Sequence, residues 1–336
     1  MIRSSDTRRL TGAVGRSGGR DVFSLIARRL TLGLLTLVVV SAIIFAGTEI
    51  LPGDVAEAIL GQAATEENVA AIREKLGLDR PAYVRYVEWL ANFAQGDLGI
   101  SLSNRRPIAE QIGERFVNTL TLAGFAALIA VPLAIVLGLI AAIRQGTAFD
   151  KTISISTLAA ISVPEFFVGY VLILVVAVKL QWLPSLSNVN SRMDFGQHLE
   201  ALILPALTLT LVTVAHMMRM TRAAVISVMN SPYIEMAHLK GIENWRVVVQ
   251  HALPNALSPI INVVVLNLAY LVVGVVVVEV VFTYPGMGQY LVDAVSKRDV
   301  PIVQSCGLIF AMTYVGLNLT ADILSIMANP RLRHPK

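Results

Sequence analysis

The chain has 336 residues, of which 55% are hydrophobic and 15% charged, with a formal net charge of +4 and a mean hydropathy of +0.67. Charged residues make up about 25% of an average soluble domain, so this composition excludes a large soluble enzyme, and four scattered excess charges exclude a nucleic-acid binder. The single cysteine, Cys306, excludes an internal disulfide, and five histidines far apart in the chain lack zinc-ligand spacing.

A helix needs about 20 apolar residues to cross the hydrocarbon core. Six runs qualify: 30–50, 116–143, 152–178, 201–218, 256–283 and 300–321. They are rich in Val and Ile, yet a lone strand cannot satisfy its backbone in lipid, so each reads as a helix. The fold class expected is therefore an all-α integral membrane protein with six transmembrane helices.

Lys and Arg placement sets the orientation. The segment 1–29 contains seven arginines, and the loops and tail on the same side bring the total to sixteen, against four in the short loops opposite. Both termini are thus expected in the cytoplasm. The first apolar run is too long for a signal peptide and no small-residue cleavage site follows, so it reads as a retained anchor.

The segment 51–115 is expected outside the membrane, as a helical cap. Within it, Glu66–Leu76 carries apolar residues at 69, 72 and 76 and stops at Gly77, and a second helix behind Pro81 places Trp89 and Phe93 on one face. No catalytic set or metal cluster is present in it. The remaining divisions are a five-helix core, 116–328, with a cytoplasmic loop 221–255, and a tail, 329–336.

No G-x-x-x-x-G-K-[ST] sequence occurs, so the chain carries no phosphate loop of its own and needs no cofactor. The informative stretch is Ser231-Pro-Tyr-Ile-Glu-Met-Ala-His-Leu-Lys-Gly241, leading to Leu253-Pro254. Ser231 suits an N-cap, Pro232 the first helical position and Gly241 the left-handed residue past the helix end. So short a helix must dock on something. Pro254 is expected to close the helical stretch that follows.

Glu235-x-Ala237-x3-Gly241 with Leu253-Pro254 resembles the EAA loop of ABC importer permeases. Leu51-Pro-Gly-Asp54, Gly96-Asp-Leu-Gly99, the run Arg115 to Leu120, Tyr284-Pro-Gly-Met-Gly288 and Asn329-Pro-Arg331 resemble the peptide branch, the dipeptide and oligopeptide B-type subunits. The resemblance spans residues 24 to 333. It implies the type I importer architecture in a bacterial inner membrane. The implied partners are a homologous second permease, two ATP-binding subunits and an extracytoplasmic substrate-binding protein. The implied function is a translocation subunit for peptides or similar small solutes, without catalytic residues. The loop residues Glu235, Ala237, His238, Lys240, Gly241, Leu253 and Pro254 would couple it to the ATPase. Met236 and His251 depart from the general loop pattern, and His238 replaces a permanent charge of the peptide branch.

Ionisable or amide side chains inside spans suggest a cavity or a partner. Glu165, Asn262, Asn267 and Glu279 are the candidates for a translocation path. Glu165, after Pro164, either lines the path or is paired where helices pack. Glu279 lies near the outer surface, where it can snorkel. Asp322 reads as structural, and His216, Arg219 and Arg222 as anchors at the inner end of the fourth span. The competing reading is a proton-coupled secondary transporter that uses Glu165 and Glu279 as proton carriers.

Overall fold

The computed structural model describes residues 17–50, 55–60, 64–190 and 192–328. The motifs Leu51-Pro-Gly-Asp54 and Asn329-Pro-Arg331 lie outside the described residues. Every regular element within them is a helix. In chain order these are α1 (Ser17–Ile50), α2 (Val55–Leu60), α3 (Glu66–Leu76), α4 (Ala82–Ala94), α5 (Ile108–Ile143), α6 (Ala148–Ser162) and α7 (Glu165–Leu172), which a π-helical turn Ile173–Lys179 prolongs. There follow α8 (Phe195–Met229), α9 (Pro232–Leu239), α10 (Asn244–Arg246), α11 (Leu253–Val281), α12 (Met287–Ser296) and α13 (Val300–Ala328). A second π-helical turn, Val247–Ala252, leads into α11.

Among the described residues five helices are long and apolar enough to cross a membrane, and α6 with α7 makes a sixth span if the two arms are counted together. The helices overrun the apolar runs because hydropathy marks only the part that lipid can cover. α8 has 35 residues and begins at a capping box, in which Asp194 accepts from the backbone of Gln197 and Gln197 accepts from that of Asp194.

The third span is not one straight helix. Its two arms meet at 98°. Pro164 disfavours helical backbone in the residue before it, and Val163 accordingly adopts φ −91°, ψ 127°. The helix breaks there and restarts at Glu165.

α5 and α8 form the most extensive helix pair. Ala126, Ala130, Ala134, Gly138 and Ala142 recur at every fourth position of α5, and all are buried. Small residues at this spacing let two backbones approach closely, which is what holds helices together where lipid is as apolar as the side chains. At Gly138 the approach is closest: an added Cβ would lie 2.9 Å from both the Met218 carbonyl oxygen and Thr221 Cβ.

One end of the bundle carries the helical cap, with both cap helices where the pattern of residues 66–93 puts them. Gly77 ends α3 at φ 65°. Trp89 stacks between Tyr86 and Phe93 of α4, and both Tyr86 and Trp89 meet Phe45 of α1. Arg85 makes a two-pronged ion pair with Glu49 at 2.8 and 2.6 Å, fixing α4 to the end of α1. The expected split at residue 115 falls inside a continuous helix, because α5 begins at Ile108.

Gly138→Ala is expected to destabilise the chain by about 1–3 kcal/mol, the usual effect of overpacking, and Gly138→Leu to prevent folding. Thermal unfolding of the purified protein in detergent measures both. An unchanged midpoint for Gly138→Leu would show that α5 and α8 do not depend on this contact.

Candidate functional site

The loop that follows α8 builds a small helix with two unlike faces. Ser231 starts α9 through its backbone, since its carbonyl accepts from the N–H of Ile234 and Glu235. Its hydroxyl turns back and donates to the Val228 carbonyl, so the expected side-chain cap is not made. The C-terminal signal holds. Gly241 stands at φ 75°, and the N–H groups of Lys240 and Ile242 bond back to the carbonyls of Met236 and Ala237.

Within α9, Ile234 and Ala237 are buried against Val247 and Ala252, with Val228, Met229 and Ile242 around them. Glu235, Met236 and Lys240 are exposed, and Leu239 is 75% exposed. His238 supplies backbone to α9, and its side chain lies outside the described residues. The helix is thus clamped by one face to its own chain and presents an apolar, singly acidic face outward.

Leu253 is half-buried against the base of α8, in a cluster with Val225 and Val248. Pro254 does not close a helix, contrary to expectation. It stands at the start of α11, just after the π-helical turn, in one apolar helical span running from Val247 to Val281. Proline lacks an N–H and crowds the carbonyl four residues back; the wider π turn before it accommodates both effects without ending the helix.

The four candidates within the spans divide. Asn262 and Glu165 are half-buried, and their side chains make no hydrogen bond or ion pair among the described residues. Asn262 shares one face of α11 with Leu266, Tyr270, Val273 and Val277, all four exposed, and Glu165 lies beside that face at Gly274. Asn267 is buried, and its amide donates to the Val263 carbonyl. Glu279 does not snorkel. It is 0% exposed and turned into the fold.

Glu279 organises the end of the bundle. Its Oε1 accepts from the Thr119 hydroxyl at 2.6 Å, and its Oε2 accepts from the N–H groups of Gly288 and Gln289 at 2.7 and 3.1 Å. The N–H of Met287 completes the knot by donating to the Thr119 hydroxyl. This explains Tyr284-Pro-Gly-Met-Gly288: a Cβ on Gly286 would collide with the Glu279 carboxylate, and one on Gly288 with Val276. The run Arg115 to Leu120 meets the same motif. The Tyr284 hydroxyl donates to the Asn118 carbonyl, and Arg115 lies 4.4 Å from the centre of the Tyr290 ring. Burial pushes the Tyr290 phenol up to about 12, so it stays a neutral platform for that guanidinium.

Arg222, expected as an anchor at the membrane surface, makes a two-pronged pair with buried Asp150 at 2.6 and 2.8 Å. Asp322 pairs with Arg29 at 2.8 Å, which ties α13 to α1.

Residues 134–334 match the family described as binding-protein-dependent transport system inner membrane component, and residues 22–123 match the N-terminal region of such membrane components. The chain belongs to this family. Among its relatives, the glutathione transport system permease protein GsiC of Escherichia coli K12 is 37% identical over 314 residues, covering 93% of this chain and all of the relative. The di/tripeptide transport system permease protein DppB of Pseudomonas aeruginosa is 36% identical over 336 residues, covering 94% of this chain and all of the relative.

As an inner membrane component of a transport system, the chain has its knot around Glu279 near the C-terminal end of α11 and its loop around α9 leading into the N-terminal end of the same helix. Glu279→Ala leaves two N–H groups and a hydroxyl without an acceptor and is expected to destabilise the protein by about 3–5 kcal/mol. Glu279→Gln keeps one acceptor oxygen and is expected to destabilise it by less than about 2 kcal/mol. Thermal unfolding in detergent compares them, and equal midpoints would show that the carboxylate is not the anchor.

Proposed function

We propose that this chain is a permease subunit of an ATP-driven ABC importer for peptides or similar small solutes. It works with a second, homologous permease, two ATP-binding subunits and an extracytoplasmic binding protein. The observation that carries the reading is α9: Ile234 and Ala237 hold it to the chain, while Glu235, Met236 and Leu239 face outward with no partner among the described residues. Such a helix suits a groove on a separate subunit, where ATP-driven closure would push it. The relatives named for glutathione and for di/tripeptides share a peptide backbone as their solute, which supports that substrate class.

The path would run along the face of α11 that carries Asn262 and Tyr270, next to Glu165. Unpaired polar groups at bilayer depth are stable only against water or a partner, so this face would not look onto lipid. α9 would then lie in the cytoplasm with both termini, and the helical cap outside.

A β-branched residue at the left-handed Gly241 meets a penalty of about 1–2 kcal/mol. Gly241→Val is therefore expected to leave membrane insertion intact while solute uptake and ATP hydrolysis by the whole complex both fall sharply, with Glu235→Ala acting in the same direction more weakly. A proton-coupled secondary transporter needs no docking helix, so normal uptake by Gly241→Val at matched membrane abundance would overturn the importer reading. For the orientation, reporters fused after Lys336 and inserted within Glu66–Leu76 should report opposite sides of the membrane. The same side for both would overturn the six-span topology.

A further inference from the structure

Among the described acidic side chains on the spans, Glu165 is set apart by being half-buried with no hydrogen bond or ion pair; Glu110, Glu114 and Glu200, which also make none, are exposed. Glu49 meets Arg85, Asp150 meets Arg222, Asp322 meets Arg29, and Glu279 holds a hydroxyl and two backbone N–H groups. Glu165 makes no hydrogen bond or ion pair among the described residues.

Its position is defined by the break between α6 and α7, which puts it at the first residue of α7 and turns its carboxylate toward Gly274 of α11. A Cβ on Gly274 would lie 3.6 Å from Oε2 and 3.9 Å from Oε1 of Glu165. The same Cβ would lie 3.6 Å from Cε1 of Tyr270. A carboxylate and an exposed tyrosine ring thus flank one notch, and the notch exists because residue 274 has no side chain. A carboxylate supplies a counter-charge, and an aromatic ring attracts cations through its quadrupole. None of the cations among the described residues fills the position, so the notch suits a cation brought by a solute.

We propose that Glu165, Tyr270 and the notch at Gly274 form a binding station for an ammonium group of the transported solute. The proposal rests on reading this face as the transport path. The ammonium belongs either to the N-terminus of a peptide or to an amine on a side chain. In both cases the station holds a cation briefly while the rest of the solute passes along the apolar stripe of α11.

Cys306 is the only cysteine and is buried, so an engineered thiol reports without interference and the parent chain is the blank. The complete transporter, reconstituted in lipid nanodiscs, carries Val277→Cys, one turn from Gly274 on the exposed face of α11, alone or together with Glu165→Gln, so that the notch itself stays open. Each is labelled with a trimethylammonium-ethyl and a sulfonatoethyl methanethiosulfonate reagent. The ratio of cationic to anionic labelling rates is expected to be at least about tenfold higher with Glu165 present, the effect of one close charge at intermediate dielectric. Equal ratios would overturn the ammonium station while leaving the transport face intact. Labelling by neither reagent would show a face closed to water and would overturn both readings. Millimolar dialanine protecting the thiol, with N-acetyl-dialanine failing to, identifies a peptide N-terminus as the ligand. Protection by Nα-acetyl-lysine methylamide instead identifies a side-chain amine. Protection by none of these, or equal protection by the acetylated peptide, would overturn the proposal.

Discussion

A bilayer offers no hydrogen-bond partner, and that deprivation shapes almost every polar contact of this chain. Buried polar groups must find partners within the fold or stand against water. Among the described residues only the Thr221 hydroxyl and the Tyr290 hydroxyl are buried without one. Glu279 is stable at full burial because three donors converge on it, and Asp150 because Arg222 and the Gly146 N–H both reach its carboxylate. The same constraint makes the unpaired Glu165 and Asn262 informative, since neither has its requirement met internally.

With no hydrophobic drive between helices in lipid, packing rests on how closely backbones can approach. The small-residue column of α5 lets α8 lie directly against it, and α8 then leads through the turn at Asn230 and Ser231 to α9. α11 follows α9 in the chain and ends just after Glu279, at Val281. The α9 loop and the exposed face of α11 are therefore joined by continuous helices. α8 reaches the broken third span through Arg222 and Asp150, and α11 itself carries Asn262, Tyr270 and Gly274. Under the proposed coupling, a push on α9 would have two routes to the notch beside Glu165, one along each helix.

Much of this was legible in the residues. Six apolar runs gave six helical regions, because an apolar run of about 20 residues with at most one charge has no other stable form in lipid. The signals around α9 were readable because glycine and proline impose local backbone geometry that depends little on surroundings. The cap helices followed from their apolar spacing and from Gly77. The 98° break was only half legible: Pro164 marked its place, but proline chemistry allows anything from a shallow kink to a complete stop.

Sequence by itself determined where the chain is helical, which stretch forms the short docked helix, and which polar residues are anomalous in lipid, since each of these follows from local composition and backbone chemistry. Only the tertiary structure decided what those anomalous residues do. Glu165 and Glu279 look alike in the sequence, each a lone acid in an apolar span, yet the first stands unpartnered beside a glycine notch and the second locks α12 to α5. Gly288 follows Glu279 by nine residues, but Thr119 precedes it by 160, and no local pattern foretells the meeting of all three. The difference lies in long-range juxtaposition: a carboxylate's role is set by the donors that folding brings to it, and those donors are supplied by other helices.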